Sequence, residues 1–537
     1  MQAADIHHLE LVLLYLVVLV SGLAALARRF HTPYPIVLVI GGLAASLLPK
    51  LPTVSLNPDV VFLVLLPPLL FAASFHTSWR DLRWNLVTIL LLAFGLVGFT
   101  VAIVMCVSGW LLPGFDRRLG FVLGALVAST DSVAASSIAK RLGLPKRIID
   151  VLEGESLIND ASSLVALEFA VAMTVSNQVP TLSAGAARLL YLVVVGILLG
   201  LATGWFIRLG QIRVTDAPIE ITLTLLAPYI SYLAAESVHA SGVLATVACG
   251  LYLGHRRSQL LSTRARLESA AVWGTLEFVL NGLVFILIGL QLPHILAGIH
   301  DLRPGQLILD GVILVITLIG SRMLWVFAES SITRAMGRRF NWQGPAHRSR
   351  EVFVIGWTGM RGVIALAAAI SLPELVQDGT PFPQRDVLIF LTFFVILITL
   401  VAQGLSLPLL IRSLGLVSSA SFDGEEKLAR RHMLSAAMDH LLDLRTKAMP
   451  QEEKVLADLL CEYQDRFEEA NTTSTPDTPD RQNYEEYRSL RNKLRLVERS
   501  ALLGLRDRNE IRDEVLRTLE RELDLTDVRF LLPVHDS

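Results

Sequence analysis

The chain has 537 residues, 53% of them hydrophobic and 18% charged, with a formal net charge of -2 and a mean hydropathy of +0.54. Neither end carries the basic tract that nucleic acid would require. Cys106, Cys249 and Cys461 lie far apart with no CxxC or Cys/His spacing, which excludes a disulfide framework and a zinc site.

The first apolar block follows Asp5 and Glu10 and precedes Arg28 and Arg29. That is the reverse of a basic n-region, so it reads as a retained membrane span with the N-terminus outside. Blocks of the length that crosses hydrocarbon as a helix then continue along the chain. They predict about thirteen spans, near residues 10–27, 34–49, 59–76, 86–112, 119–139, 148–175, 188–207, 218–237, 239–255, 271–293, 306–330, 351–372 and 386–413. The odd-numbered connections hold the arginines and lysines, including Arg80/Arg83, Lys140/Arg141/Lys146/Arg147 and Arg334/Arg338/Arg339/Arg348/Arg350. The positive-inside rule places these loops in the cytoplasm, with the C-terminus inside.

From about Ser418 the composition changes to mixed charge with apolar residues at helical spacing, in "EEKLARRHMLSAAMDHLLDLRTK" and again in "YEEYRSLRNKLRLVERSALLGLRDRNEIRDEVLRTLERELDL". The expected architecture is therefore an all-α polytopic membrane protein, with a transmembrane domain over 1–417 and a helical cytoplasmic tail over 418–537. The tail reads as a solubilising or dimer-supporting appendage, with a sensor role as the alternative.

Within the sixth span, "VLEGESLINDASSLVALEFA" places Glu153, Glu155, Asn159, Asp160 and Glu168 among apolar residues. A charge near the bilayer centre costs about 2.5–3.5 kcal/mol on insertion scales, so these groups need a use. Ser156 and Asp160 are four apart and share a helix face, and Glu155 and Asn159 stack beside them. One face thus offers hard oxygen ligands, suited to Na+ or K+ and not to copper or zinc.

The fifth span contains "GALVASTDSVAASSIA", where Ser129, Thr130, Asp131 and Ser132 interrupt an apolar helix with groups that compete for its backbone. The twelfth, "VIGWTGMRGVIALAAAI", is loosened by Gly356, Gly359 and Gly362 around Arg361. Broken helices at membrane depth are tolerated where they are buried in protein or line a cavity. If two six-span repeats flank the seventh span, positions five and twelve correspond, the mark of an inverted-repeat transporter.

"TDSVAASSIAKRLGLPKRIIDVLEGESLINDASSLV" resembles the fifth and sixth spans of the cation/proton antiporter superfamily, in its NhaP-type sodium/proton exchanger branch. "LLPPLLFAASF", "YLAAESVHASGVLATVACGLYLGH", "LEFVLNGLVFILIGLQL" and "GMRGVIALAAAISLP" resemble other segments of that branch in the same order, so that the likeness covers 10–413. The resemblance implies thirteen spans, a homodimer in a bacterial cytoplasmic membrane, and exchange of Na+, Li+ or K+ for H+ by alternating access. It implies that Asp160 binds cation and proton in turn, beside Asn159, with Ser156 and Thr130 supplying oxygen and Asp131 in the broken helix. It further implies that Arg361 partners Glu155 and that Arg322 is a supporting intramembrane arginine. Two positions depart from the pattern. Ala72 stands where many relatives have an acid after "PPLLF", and Ser132 replaces a proline after the Thr-Asp pair.

Burial favours the protonated form of a carboxylate and a nearby cation favours the ionised form. Proton and cation therefore compete for one site, and with Asn159 neutral the expected exchange is one for one and electroneutral. Asp160 as a helix-to-helix hydrogen bond and Asp131 as a simple helix cap are the structural alternatives. No HExxH, nucleophile-base pair or GxxxxGK[ST] is present, so an enzyme or an ATP-driven pump is not expected, and neither is a cofactor. A monovalent cation channel is the rival class. Glu153, Glu168, Glu236 and Glu277 are intramembrane or near-interface acids with no assigned role, and His239 and His255 lie at or near predicted span ends, as ordinary interfacial residues or, alternatively, pH sensors.

Overall fold

The computed structural model describes residues 3–48, 57–175, 182–299, 304–340, 348–416, 420–447 and 453–472, apart from positions 31, 113, 215 and 378, with isolated residues beyond. The second predicted tail segment lies almost wholly outside them. The chain divides into two compact units, Met1–Val417 and Ser418–Ser537.

In the first unit, helices α1 (Ala3–Arg29) and α2 (Tyr34–Ser46) are followed by α3 (Pro58–His76) and α4 (Leu86–Leu111). The interrupted pair α5 (Arg117–Leu126) and α6 (Ser132–Arg141) leads to α7 (Lys146–Val175), α8 (Leu182–Gln211), α9 (Ala217–Glu236), α10 (Gly242–His255) and α11 (Thr263–Leu290). Then come α12 (Pro304–Phe340) and a second interrupted pair, α13 (Ser349–Trp357) and α14 (Val363–Ile370). Helix α15 (Arg385–Leu414) closes the unit. Among the described residues, eight helices are long and apolar enough to cross a membrane, and α2 and α10 are shorter apolar helices. The chain is thus a helical membrane protein.

Helix starts follow local chemistry. Asn57 accepts from Asp59 N at 2.9 Å, Asp116 from Arg118 N and Leu119 N at 3.0 and 2.9 Å, and Ser241 and Ser262 from Leu244 N and Ala265 N at 3.2 Å each. Each side chain satisfies an amide that the first helical turn leaves unpaired. Gly415, at φ 63°, ends α15 in the left-handed region, where a residue without Cβ fits.

One large apolar core joins α1, α2, α4–α7, α11–α15 and part of α3, and a smaller one gathers Phe71, Phe75, Ile221, Cys249 and Trp273 from α3, α9, α10 and α11. Several contacts depend on small residues, as expected where van der Waals packing drives association of membrane helices. A Cβ on Gly289 of α11 would lie 2.4 Å from Val39 O and 2.6 Å from Leu43 N, both backbone atoms of α2.

In the second unit, α16 (Ala420–Lys447) and α17 (Glu453–Thr472) pack on each other, with Leu434 buried.

Gly289→Ala is expected to lower the melting temperature of the detergent-solubilised protein, since forced overpacking costs about 1–3 kcal/mol. Gly274→Ala, whose Cβ would meet nothing within 4 Å, is the control and should leave it unchanged or slightly higher. Equal melting temperatures for the two variants would show that α2 and α11 are not in close backbone contact.

Candidate functional site

The two interruptions meet. Asp131 N donates to Met360 O at 2.8 Å, joining the break after α5 to the break after α13. Arg361 donates through Nη1 to Ala128 O at 2.7 Å and Ser129 O at 2.9 Å, the carbonyls just past the end of α5. A helix C-terminus has unpaired carbonyls and partial negative charge, so a fully buried guanidinium is matched to it. Arg361 N in turn donates to Thr399 Oγ1 at 3.2 Å, and Thr399 opens the π-helical stretch Thr399–Gln403 within α15. Gly362 has no room for a Cβ, which would sit 2.6 Å from Asp131 Cβ.

Helix α7 passes this crossing and presents two faces. On one, Glu155 accepts from Arg322 Nη1 at 2.5 Å and Nη2 at 2.8 Å, while Arg322 Nε and Nη2 reach Ile355 O at 3.3 and 3.1 Å. Thr130 Oγ1 donates to Glu155 Oε1 at 3.1 Å and accepts from Asn159 Nδ2 at 2.5 Å. The other Asn159 amide atom, Oδ1, is buried without a partner among the described residues. The pairing inferred for Glu155 with Arg361 is therefore corrected: the partner is Arg322, because Arg361 is committed to the α5 carbonyls.

On the adjacent face, Ser156 Oγ donates to Thr130 O at 3.0 Å and accepts from Ser132 N at 3.3 Å. A proline at 132 could not make the second bond, since it has no N–H. Ser156 and Asp160 line a cavity of about 80 Å³, with Asp131, Ser129, Ser132 and Asn281 completing its polar wall and Leu66, Leu69, Leu70 and Ala73 part of its apolar one. Asp160 is buried at 5% exposure, and Ser129 lines the same cavity. Asp131 caps α6 by accepting from Val133 N at 2.8 Å through Oδ1, so it is both a cap and a wall residue.

Of the residues singled out in the sequence, Asp160, Ser156 and Asp131 reach the cavity. Thr130, Asn159, Glu155 and Arg322 stand behind it as a hydrogen-bonded support. Asn281 is not among the site residues that the sequence singles out, although an amide inside the apolar "LEFVLNGLVF" is its signal; Ser129 stands out in the sequence only as a helix interruption, and Ser132 as an interruption and as the replacement of a proline. Ala72 lies off the cavity, fully buried with Phe71 and Phe75, and its neighbour Ala73 takes the wall. Glu153 pairs with Lys140 at 2.7 Å and Glu168 with Arg188 at 2.9 Å.

The profile of the sodium/hydrogen exchanger transmembrane family matches residues 15–413. The chain belongs to the sodium/hydrogen exchanger family. This exchanger is 33% identical over 535 residues to an uncharacterized Na+/H+ exchanger of Mycobacterium bovis, with 96% of each chain covered. It is 35% identical over 419 residues to a sodium, potassium, lithium and rubidium/H+ antiporter of Bacillus subtilis, covering 76% of this chain and 61% of that one. Its fold is similar to that of the solved sodium proton antiporter MjNhaP1 of Methanocaldococcus jannaschii, with a TM-score of 0.60 at 19% identity over 75% of this chain and 97% of that chain. The exchanger is an antiporter of the NhaP type, a multi-pass protein of the cell membrane.

Removing one partner of a buried ion pair costs about 3–5 kcal/mol, because the other charge is left uncompensated. Arg322→Met is thus expected to sharply reduce the yield of monodisperse protein, and adding Glu155→Gln should recover much of it. Adding Glu155→Gln to Arg361→Met should bring no comparable recovery. Melting temperatures and yields of the four variants check this; equal recovery in both backgrounds would restore the Arg361 pairing.

Proposed function

We propose that the protein exchanges a monovalent cation, Na+ and alternatively K+ or Li+, for H+ by competition of the two at Asp160. The observation that carries this is the placement of Asp160 in a small cavity at the meeting point of two broken helices, with Ser156, Asp131 and Asn281 around it. The cavity has room for a dehydrating ion and a few waters, and its donors are the hard oxygens that alkali cations take. Sodium, potassium and lithium appear in the name of the Bacillus subtilis relative, which supports the breadth of this cation set.

Exchange of one for one follows from how the other acids are engaged. Glu155 is neutralised by Arg322, Asp131 has one oxygen committed to capping α6, and Asn159 carries no charge. Asp160 is then the carboxylate left to trade a cation for a proton, and the cycle moves no net charge. The transporter needs no enzymatic step and no cofactor.

Thirteen spans are supported by the helix order: the eight long helices, the two shorter ones, α1 and the two interrupted pairs each supply a crossing. With the arginine-rich odd connections inside, the N-terminus faces out and residues 418–537 are cytoplasmic. The breaks in the fifth and twelfth crossings suit two inverted repeats working by alternating access, in a homodimer. A cation channel is less favoured, because the family whose profile the chain matches and the relatives it resembles are exchangers and antiporters.

Acid-loaded vesicles holding the protein are expected to release protons when Na+, K+ or Li+ is added outside, and Asp160→Asn should reduce this to background. The rate should be indifferent to an imposed voltage at fixed ion gradients. Cation current without proton counter-movement would establish the channel instead, and unimpaired exchange by Asp160→Asn would make that residue structural.

A further inference from the structure

A second cavity, of about 520 Å³, lies where the C-terminal ends of α1, α6 and α15 converge on the start of α2. Its wall carries Arg28, Arg141 and Arg412 together with the hydroxyl-bearing Thr32, Tyr34 and Ser137, and no carboxylate occurs among its described lining residues. None of the three guanidinium groups has an ion pair or hydrogen bond among the described residues, whereas Arg147, Arg188, Arg264 and Arg322 are each paired with a glutamate. Each of the three sits in the last turn of its helix, where the helix end favours a cation. That accounts for one arginine per helix. It does not account for three exposed arginines lining one cavity whose described lining holds no carboxylate.

We propose that this cavity binds a phosphate-bearing anion through Arg28, Arg141 and Arg412. The guanidinium fork matches phosphate oxygens two at a time, and the volume falls in the range of about 300–1,000 Å³ typical of small-ligand sites. Basic pockets between membrane helices at the cytoplasmic face take anionic lipid headgroups, and Ala24, Ala27, Leu142 and Phe278 supply an apolar floor beside the arginines. The headgroup of an anionic phospholipid and free phosphate share this chemistry. Either would tie α1 to α6 and α15, in a cavity that shares no lining residue with that of Asp160 and is opposite to it in charge.

The test is native mass spectrometry of the delipidated full-length protein titrated separately with dioctanoyl phosphatidylglycerol, dioctanoyl phosphatidylcholine and inorganic phosphate. Phosphatidylglycerol or phosphate is expected to bind at one copy per chain, at least about tenfold more tightly than phosphatidylcholine, and R28Q/R141Q/R412Q to weaken it at least about tenfold. The variant R80Q/R83Q/R213Q removes the same charge from exposed positions outside the cavity and should bind as the original does. Lipid binding that phosphate does not displace assigns the headgroup; phosphate binding with no gain from the lipid assigns the free anion. If the triple variant does not fold, Arg412→Gln alone should weaken binding about threefold. No preference over phosphatidylcholine in either arm, retained binding by the cavity variants, or equal loss in the control variant overturns the proposal.

Discussion

The architecture turns on the contact between a buried guanidinium and the open end of a helix. Interrupting a helix inside a membrane exposes carbonyls and amides that lipid cannot satisfy, each at a cost of several kcal/mol. Arg361 supplies two of the missing donors to Ala128 and Ser129, Met360 O takes up the Asp131 amide, and the Asp131 carboxylate caps the next half-helix. Each break thus satisfies the other. Neither would be tolerable alone, and together they leave side-chain oxygens in mid-protein, where an intact pair of helices would present apolar surface.

The second requirement is that the surplus acids be kept apart. Three carboxylates, Asp131, Glu155 and Asp160, lie within a few turns of this crossing, and like charges in a low-dielectric region repel strongly. Their partners differ in kind. Glu155 has a bidentate arginine, Asp131 has backbone amide, and Asp160 shares its cavity with the hydroxyl-bearing Ser129, Ser132 and Ser156. Thr130 links the sets, since its side chain joins Glu155 to Asn159 while its carbonyl holds Ser156.

Much of this was legible in the sequence because helical spacing is rigid. Residues four apart stack, so Ser156 with Asp160 and Glu155 with Asn159 could be assigned to neighbouring faces from one segment, and the interruptions were visible as polar or glycine clusters in apolar runs. What spacing cannot fix is which distant helix comes alongside. Arg322 and Arg361 are each an arginine in mid-span, and nothing local says which meets Glu155; the choice is made by the break, which brings Arg361 to the α5 carbonyls and leaves Glu155 to α12. Asn281 escaped notice as a site residue for the same reason, since one amide in an apolar helix has no significance until α11 is placed against α7. The register of α3 was equally hidden. Helix α3 carries the proline pair Pro67–Pro68 and a π-helical turn at Val61–Leu65, and it is Ala73 that reaches the cavity while Ala72 is buried with Phe71 and Phe75.

Ser132 shows how a small change in backbone chemistry propagates to the site. Proline at the first turn of a helix is favourable, because the amide it lacks would be unpaired there anyway. Serine restores that amide, and in this protein it is used: Ser132 N holds Ser156 Oγ, whose own proton goes to Thr130 O. The hydroxyl is thereby fixed on both sides, with its remaining lone pair free for a ligand beside Asp160. A proline in this position would leave Ser156 with one fewer donor and a less defined orientation. The serine thus fixes in place an oxygen of the cavity that holds Asp160, whose wall α3 completes with leucine and alanine.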